Sequence, residues 1–403
     1  MRLSTANLFD VSIANLQRRQ NTLQQQQQQL TSGKRVALAS DDPTGAARAE
    51  RALASIGRVD ANQRALEASR NSMTLAEGAL GDANELLQQA RETMVSAGNA
   101  SYSDAERKGL ANKLQGLRDQ LLTIANRADG AGGYLFSGQG SSSPPFLDQA
   151  GGVSYVGVAG SIATGNLESF ALTVDGRGAW EQARSGNGSF VTEANPNAID
   201  PTQAAKGWID SGRVTDPTLL TGQNYRVDIS GTAPAQTYSV TNLDTGAGVA
   251  SGSYASGQAI QFDGMAVAIT GTPVDGDNYS IAPATNTLKV FDVLDRAINE
   301  LKTPLRGSAA IQQSNSGRIR DIDAVMGNLQ NLRSQVGEQL NNLDGTETRL
   351  AALKQYSTEE RSAAEDLDMV QGISDFQNQQ TGYDTALKTY AMVQRMSLFE
   401  YLR

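Results

Sequence analysis

Few residues in this chain of 403 have the types and spacing that chemistry requires. Asp41 and Asp42 stand side by side, as in a carboxylate pair that holds a metal or moves a proton. The run Gly130-Ala131-Gly132-Gly133-Tyr134-Leu135-Phe136-Ser137-Gly138 has the glycine density of a phosphate-cradling loop. Asp275 and Asp277 have the spacing of the first ligands of a calcium loop. A glycosidase built on two carboxylates needs neither cysteine nor histidine, but carbohydrate sites usually display several aromatics, and Trp180 and Trp208 are the only candidates here.

Each candidate meets a physical objection. Ser40-Asp41-Asp42-Pro43 has the form of a helix start, with a carboxylate at the N-cap and proline at the first helical position. The glycine-rich run lacks the Gly-Lys-Ser/Thr ending that supplies a phosphate-binding lysine and a magnesium ligand, and it follows a helical pattern rather than a strand. Asp275 and Asp277 have no glutamate at the spacing that completes a calcium loop, so they read as turn residues. The chain has neither cysteine nor histidine, which excludes disulfides, thiolate nucleophiles, imidazole metal ligands and the Ser-His-Asp triad. The expectation is therefore a protein that is not an enzyme, with no catalytic residue, no cofactor and no metal site.

A net charge of −9 argues against nucleic acid as a partner. No stretch approaches the roughly 18 apolar residues of a membrane span, and the first residues show no apolar core of a cleaved signal peptide. The charge is unevenly distributed: residues 1–138 carry +2, residues 139–287 carry −8 and residues 288–403 carry −3. Eight of the ten prolines and both tryptophans lie in the middle part, which is rich in Gly, Thr, Ser and Val. The outer parts are rich in Ala, Leu, Gln and Arg. This division predicts an α+β fold: a long antiparallel coiled coil and helical bundle made by the two ends of the chain, with an all-β outer domain inserted between them.

The elements follow from periodicity. Phe9, Leu16, Leu23 and Leu30 recur every seven residues on an otherwise polar helix, including the glutamine run 24–29. Such a narrow stripe is a coiled-coil seam rather than a broad globular face. Ser32-Gly33-Lys34-Arg35 ends that helix. The next begins at Pro43 and carries Val59, Leu66, Met73, Leu80, Leu87 and Met94, with Ala76, Ala83, Ala90 and Ala97 beside them. At 1.5 Å per residue this helix is about 80 Å long. Ser103 and Glu106 form a capping box for a third helix, with Leu110, Leu117 and Ile124 in one row and Leu114, Leu121 and Ala128 in another.

After the middle part, Leu288, Phe291, Leu294, Ile298 and Leu301 mark a helix that stops near Pro304. A long helix follows through Ile322, Leu329, Val336, Leu343 and Leu350, and a last one carries Met369, Phe376, Tyr383 and Tyr390, then Leu398. In the middle, Tyr225–Ile229 and Gln236–Val240 alternate as strands, Asp263-Gly264 is a hairpin turn between Ile260–Phe262 and Met265–Ile269, and the turn Asp275-Gly276-Asp277-Asn278 leads into a strand at Tyr279-Ser280-Ile281. The three predicted parts are 1–42 with 360–403 as terminal arms, 43–138 with 288–359 as the bundle, and 139–287 as the β-rich insert. A narrow seam on a polar helix at each chain end cannot bury itself alone, so the arms are expected to fold with a partner. The interface residues are then Phe9, Leu16, Leu23, Leu30, Met369, Phe376, Tyr383, Tyr390 and Leu398.

At this point the residues resemble the flagellin family of bacterial axial proteins. The resemblance rests on Met1-Arg2-Leu3-Ser4-Thr5 with Phe9, and on Gln29 to Val36 followed by Ser40-Asp41-Asp42-Pro43. It rests also on Gly133-Tyr134-Leu135-Phe136-Ser137-Gly138 and on the ending Ser397-Leu398-Phe399-Glu400-Tyr401-Leu402. The motif positions are Ser32, Gly33, Arg35, Asp41, Asp42, Pro43, Gly133, Tyr134, Phe136 and Gly138. Filament-forming members usually carry Asp-Asp-Ala where this chain has Asp-Asp-Pro, and end in a leucine-rich tail. Both departures point to the branch that joins hook to filament. Only Phe262–Pro283 of the middle part has a familiar look.

The resemblance implies an extracellular structural protein at the hook–filament junction of the bacterial flagellum. It implies type III export in an unfolded state, without a cleaved signal, and no insertion into a membrane. The implied partners are copies of the same chain in a ring, a hook-side hook-associated protein, the flagellin filament, and an export chaperone on the C-terminal segment. Filament flagellin is the nearest alternative. A glycan-binding β module on a helical stalk is the alternative of another class.

Overall fold

The computed structural model describes residues 5–99, 101–195, 197, 206–304 and 306–401; the side chains of 1–9 and 393–403 are also outside the described set. Three helices open the chain: α1 (Thr5–Ser32), α2 (Pro43–Ala97) and α3 (Asp104–Ala125). Two short hairpins follow, β1 (Phe146–Gln149) with β2 (Gly152–Tyr155) and β3 (Ala163–Thr164) with β4 (Phe170–Ala171), then the short helix α4 (Gly176–Trp180). Next come β5 (Phe190–Asn195), β6 (Gly207–Ile209), β7 (Arg213–Val214), β8 (Tyr225–Ser230), β9 (Thr237–Asn242), β10 (Gly248–Ser253), β11 (Ala259–Phe262), β12 (Met265–Gly271) and β13 (Asn278–Pro283). The chain returns to helix in α5 (Val290–Lys302), α6 (Ser308–Glu365) and α7 (Met369–Tyr401). Helical ends around a β-sheet middle are thus the architecture that the composition predicts.

The chain forms two compact units, Met1–Arg64 with Gly345–Arg403 and Ala65–Asp344. In the first, α1 and α7 pack together, and the first part of α2 packs on the last part of α6. Ser357 Oγ donates to Ser55 Oγ at 3.1 Å and Lys354 reaches the Asp60 carboxylate at 2.8 Å, so α2 and α6 run antiparallel. Their buried residues are Ala49, Ala52 and Val59 on α2 and Leu350, Ser357 and Ala364 on α6. The seven-residue row of α6 therefore continues past Leu350 with small residues.

In the second unit the rest of α2 and α6 pack with α3 and α5 around one apolar core. Each α2 residue expected in the two rows is buried, from Leu66 to Met94 and from Ala76 to Ala97, and so are Ile322, Leu329, Val336 and Leu343 on α6. Arg70 pairs with Asp344 at 2.8 Å, Arg333 with Glu77 at 2.7 Å and Arg91 with Asp323 at 2.6 Å along the flank of the α2–α6 pair. The capping box of α3 forms as expected: the Ser103 hydroxyl accepts from the Glu106 amide, and the Ser103 amide donates to the Glu106 carboxylate. The expected row on α3 is one member too long. The helix ends at Ala125, and Ala128 is exposed in an antiparallel bridge with Tyr134. The Asp129 carboxylate accepts from the amides of Ala131 and Gly133 and so favours a turn over another helical step.

The β-rich middle divides by its packing. Phe146, Val153 and Trp180 belong to the helical core, while residues from Phe190 to Ile281 enclose a second core of their own. One antiparallel sheet has the order β10-β9-β8-β13-β5; the other has β11-β12-β6, with β7 also paired to β12. On β8, Tyr225, Val227 and Ile229 face inward and alternate with more exposed residues. The β11–β12 turn has φ +40 at Asp263 and +73 at Gly264, both left-handed, as a two-residue hairpin of Asp-Gly type requires.

Candidate assembly site

The Ser32–Pro43 motif forms a joint between the two ends of the chain. Gly33, at φ +69, ends α1, and its carbonyl accepts from the Leu367 amide at 2.9 Å. The Arg35 and Val36 amides donate to the Glu365 carbonyl at 2.7 and 3.2 Å, and Lys34 bridges to Asp366. The Arg35 guanidinium spans the joint, donating to the Ala364 carbonyl at 2.7 Å and to the Asp42 carboxylate at 3.2 Å. Lys34 reaches the Glu365 carboxylate at 3.2 Å, which also takes Arg361 at 2.8 Å. Ser32 contributes a smaller turn contact, its hydroxyl accepting from the Lys34 amide.

The two aspartates are structural in this arrangement. Asp42 caps α2: its Oδ1 accepts from the Thr44 amide at 3.1 Å, the Gly45 amide at 2.9 Å and the Thr44 hydroxyl at 2.8 Å, and Pro43 opens the helix. The Gly45 amide above all, then the Thr44 hydroxyl and Arg35, hold the Asp42 carboxyl down to about 2. Asp41 Oδ2 accepts from the amides of Ala37 and Leu38 and shapes the loop before the cap. A side chain at Gly45 would put its Cβ 2.5 Å from Asp42 Oδ2, so the capping carboxylate would have to shift. Asp368, which the sequence pattern did not single out, caps α7 in turn by accepting from the amides of Val370 and Gln371. Its signal was visible as an aspartate directly before an apolar helical start.

Beyond the joint, α1 and α7 run antiparallel as a pair. Gly372 packs against Leu30 and Leu367, and Gly382 against the Arg19 guanidinium. Leu16, Leu23 and Leu30 on α1 and Phe376, Tyr383 and Tyr390 on α7 are half-buried. Each arm thus finds its partner in the other arm, but one partner covers only part of each seam. Met369 is 45% exposed, and Gly372 takes the place next to Leu30. Val11, Ile13, Val370, Ile373, Leu387 and Met392 are exposed around the pair, with Val370 at 82%. This outer apolar set does not follow the seven-residue spacing and was not singled out. Phe9 and Leu398 lie within α1 and α7, but their side chains are outside the described set, as are Met1 to Ser4 and Leu402 altogether.

The second glycine-rich motif lies in the other unit, where α3 gives way to the β-rich middle. Phe136 is buried, edge-on to Trp180 with ring centroids 5.6 Å apart, and Trp180 stacks on Phe291 at 5.8 Å. Gly133 sits over the Asp129 carboxylate, where a Cβ would come within 2.7 Å. Gly138 has φ +69, and a Cβ there would lie 1.8 Å from the Val158 carbonyl oxygen. Tyr134 closes the turn against Ala128. The loop is a packed helix-to-sheet junction, with no lysine to meet a phosphate. Nearby, buried Arg118 donates two hydrogen bonds to Asp148 and two to Asp295, and so fastens β1 and α5 to α3. Nothing in the spacing of these three residues announced that triad.

Two helical ends closed by a motif joint, with a β-sheet middle between them, define a flagellin-type architecture. Residues 4–141 match the model of the bacterial flagellin N-terminal helical region, and residues 319–402 that of the C-terminal helical region. Residues 200–283 match the D2-like domain of flagellar hook-associated protein 1, a wider stretch of the middle than its sequence had suggested. Flagellar hook-associated protein 3 of Escherichia coli (strain K12) is 26% identical over 412 residues, covering 99% of each chain. The crystal structure of the flagellar junction protein FlgL from Legionella pneumophila is similar at 30% identity and a TM-score of 0.65, covering 72% of this chain and 97% of that one. FlgL of Xanthomonas campestris is similar at 27% identity and a TM-score of 0.68, covering 78% and 99%. The chain belongs to the flagellar hook-associated protein 3 family, the junction proteins of the flagellum.

Proposed function

We propose that this chain is the structural subunit that joins hook to filament in a bacterial flagellum, and that it does so through its paired terminal helices. The supporting observation is the incomplete burial of α1 and α7. The core of the second unit closes over its apolar residues, whereas the arm pair leaves its seams half open and a further apolar set exposed. Apolar area of that kind on a helix pair is stabilised by other helices, so assembly and completion of the arm fold occur together.

In this reading, residues 1–42 with 360–403 are the assembly arms, 43–138 with 288–359 the bundle, and 139–287 the outward β-rich part. The arms meet copies of the same chain in a ring, a hook-side hook-associated protein and the first flagellin subunits. The chain reaches its place outside the cell by type III export, without a cleaved signal, and an export chaperone covers the C-terminal seam until then. No catalysis is involved.

Immunolabelling of intact flagella tests the reading: label in a single band at the distal end of the hook is the expected result. Label along the whole filament overturns it in favour of a filament flagellin, as does long-filament formation by the purified chain alone.

A further inference from the structure

Of the two tryptophans, Trp180 is consumed by the helical core, but Trp208 is not. It lines a cleft of about 780 Å³ between the β-sheet part and one flank of α6, a volume within the roughly 300–1,000 Å³ of small-ligand sites. Arg184, Gln312, Asn315, Ser316 and Asn331 also line it. Ile319 and Ala324 are the aliphatic members of the wall.

The walls are held in place by bonds that do not use these groups. Gln313 accepts the Ile209 amide at 2.8 Å, which ties β6 to α6 beside Trp208. Asn328 donates from its amide to the Gly178 and Ala179 carbonyls, both at 2.9 Å. Asn187 holds the Ser211 and Gly212 carbonyls on the opposite side. The cleft is therefore pre-formed, and Asp323 on its rim is already neutralised by Arg91 at 2.6 Å.

We propose that this cleft binds an oligosaccharide. A sugar ring has one face of C–H groups and an edge of hydroxyls that both donate and accept. An indole supports the first, and side-chain amides, each with donors and an acceptor, satisfy the second. An apolar ligand would cover the half-buried Gln312 amide without pairing it, which is costly. A nucleic acid strand would meet the acidic β-rich part of the chain, net −8 over residues 139–287. The site is separate from the arms, so it stands or falls independently of the assembly role.

The test uses the full chain, titrated calorimetrically with chitotetraose, cellotetraose and maltotetraose. The expected result is saturable binding of at least one of them. Trp208→Ala should weaken it at least about tenfold, the loss expected for one good ring contact. Gly327→Tyr supplies a second variant, because Gly327 lines the cleft on α6 and a Cβ there meets nothing within 4 Å. It should block the cleft while leaving thermal unfolding as in the parent chain. Absence of saturable binding for all three sugars overturns the proposal, as does binding that survives Gly327→Tyr.

Discussion

Tyr383→Asp separates assembly from folding. Tyr383 is half-buried on α7, and among the described residues none of the helical core in the second unit lies on that helix. Full burial of a large apolar side chain is worth about 1.5–3 kcal/mol, so completing the burial of Tyr383 on assembly contributes about 1 kcal/mol. Aspartate forfeits that and brings a charge into the seam, which costs several kcal/mol more unless it is paired. A combined loss of about 3 kcal/mol or more per subunit lowers the assembly constant by over about 100-fold. Tyr383→Phe keeps the ring and should assemble normally.

Two measurements on the same preparations decide the matter. Sedimentation of the variant with purified hook structures should show lost incorporation, while calorimetry should show an unchanged unfolding transition for the helical core. Leu329→Ala is the opposite control: Leu329 is fully buried, and its truncation should lower core stability by about 2–5 kcal/mol. A Tyr383→Asp chain whose core transition falls in parallel with incorporation would show that the arms support the core, and one that incorporates normally would remove the seam from the interface.

Gly45→Ala should displace the Asp42 carboxylate, because the new Cβ would lie 2.5 Å from Oδ2; faster proteolytic cleavage in residues 33–42 is the expected readout. The Asp42 cap should also be pH-dependent. Its carboxyl is held below the ordinary 3.8 at about 2, so its contribution is fully present above pH 4 or so and is lost as pH falls through about 2, which carboxyl titration by NMR checks. Gly138→Ala should fail to form the helix-to-sheet junction, since φ +69 and a Val158 oxygen 1.8 Å from the new Cβ leave no room; loss of cooperative unfolding is the measurement. Ser55→Cys with Ser357→Cys should form a disulfide on oxidation, the hydroxyls being 3.1 Å apart, and the oxidised form should stall in secretion if export requires an unfolded chain.

The helices were legible because their burial is periodic. Leu66, Met73, Leu80, Leu87 and Met94 recur every seven residues, and each is buried in the structure. Helix limits were legible where a side chain enforces them, as at Pro43 and Ser103 with Glu106. Among the strands, those with clear alternation or an Asp-Gly turn were found, namely β8, β9, β11, β12 and β13. The two-residue strands β3, β4 and β7 carry too few residues to show a period, and β10 is nearly all Gly, Ala and Ser. Arg118 was invisible for a different reason: Asp148 and Asp295 lie 30 and 177 residues away, so only the fold brings the three together.

The same contrast explains why the candidate site was half legible. Seam residues can be read from sequence because one partner helix selects one stripe. The outer set of Val11, Ile13, Val370, Ile373, Leu387 and Met392 follows no such stripe, and these side chains stay exposed among the described residues. Residues packed against several neighbours at different angles need not share one period. The joint is the complement of this. Arg35, Asp42, Gly45 and the carbonyls of Ala364 and Glu365 are fixed within the chain to hydrogen-bond precision. A rigid joint at the root of two incompletely buried helices fixes where the arms leave the chain while leaving their outer faces for other subunits. Loosening the joint should therefore impair incorporation even with every seam residue intact. Arg35→Ala, which removes the bond to the Ala364 carbonyl and the ion pair with Asp42, tests this in the same sedimentation assay. Normal incorporation of that variant would show that the seams alone direct assembly.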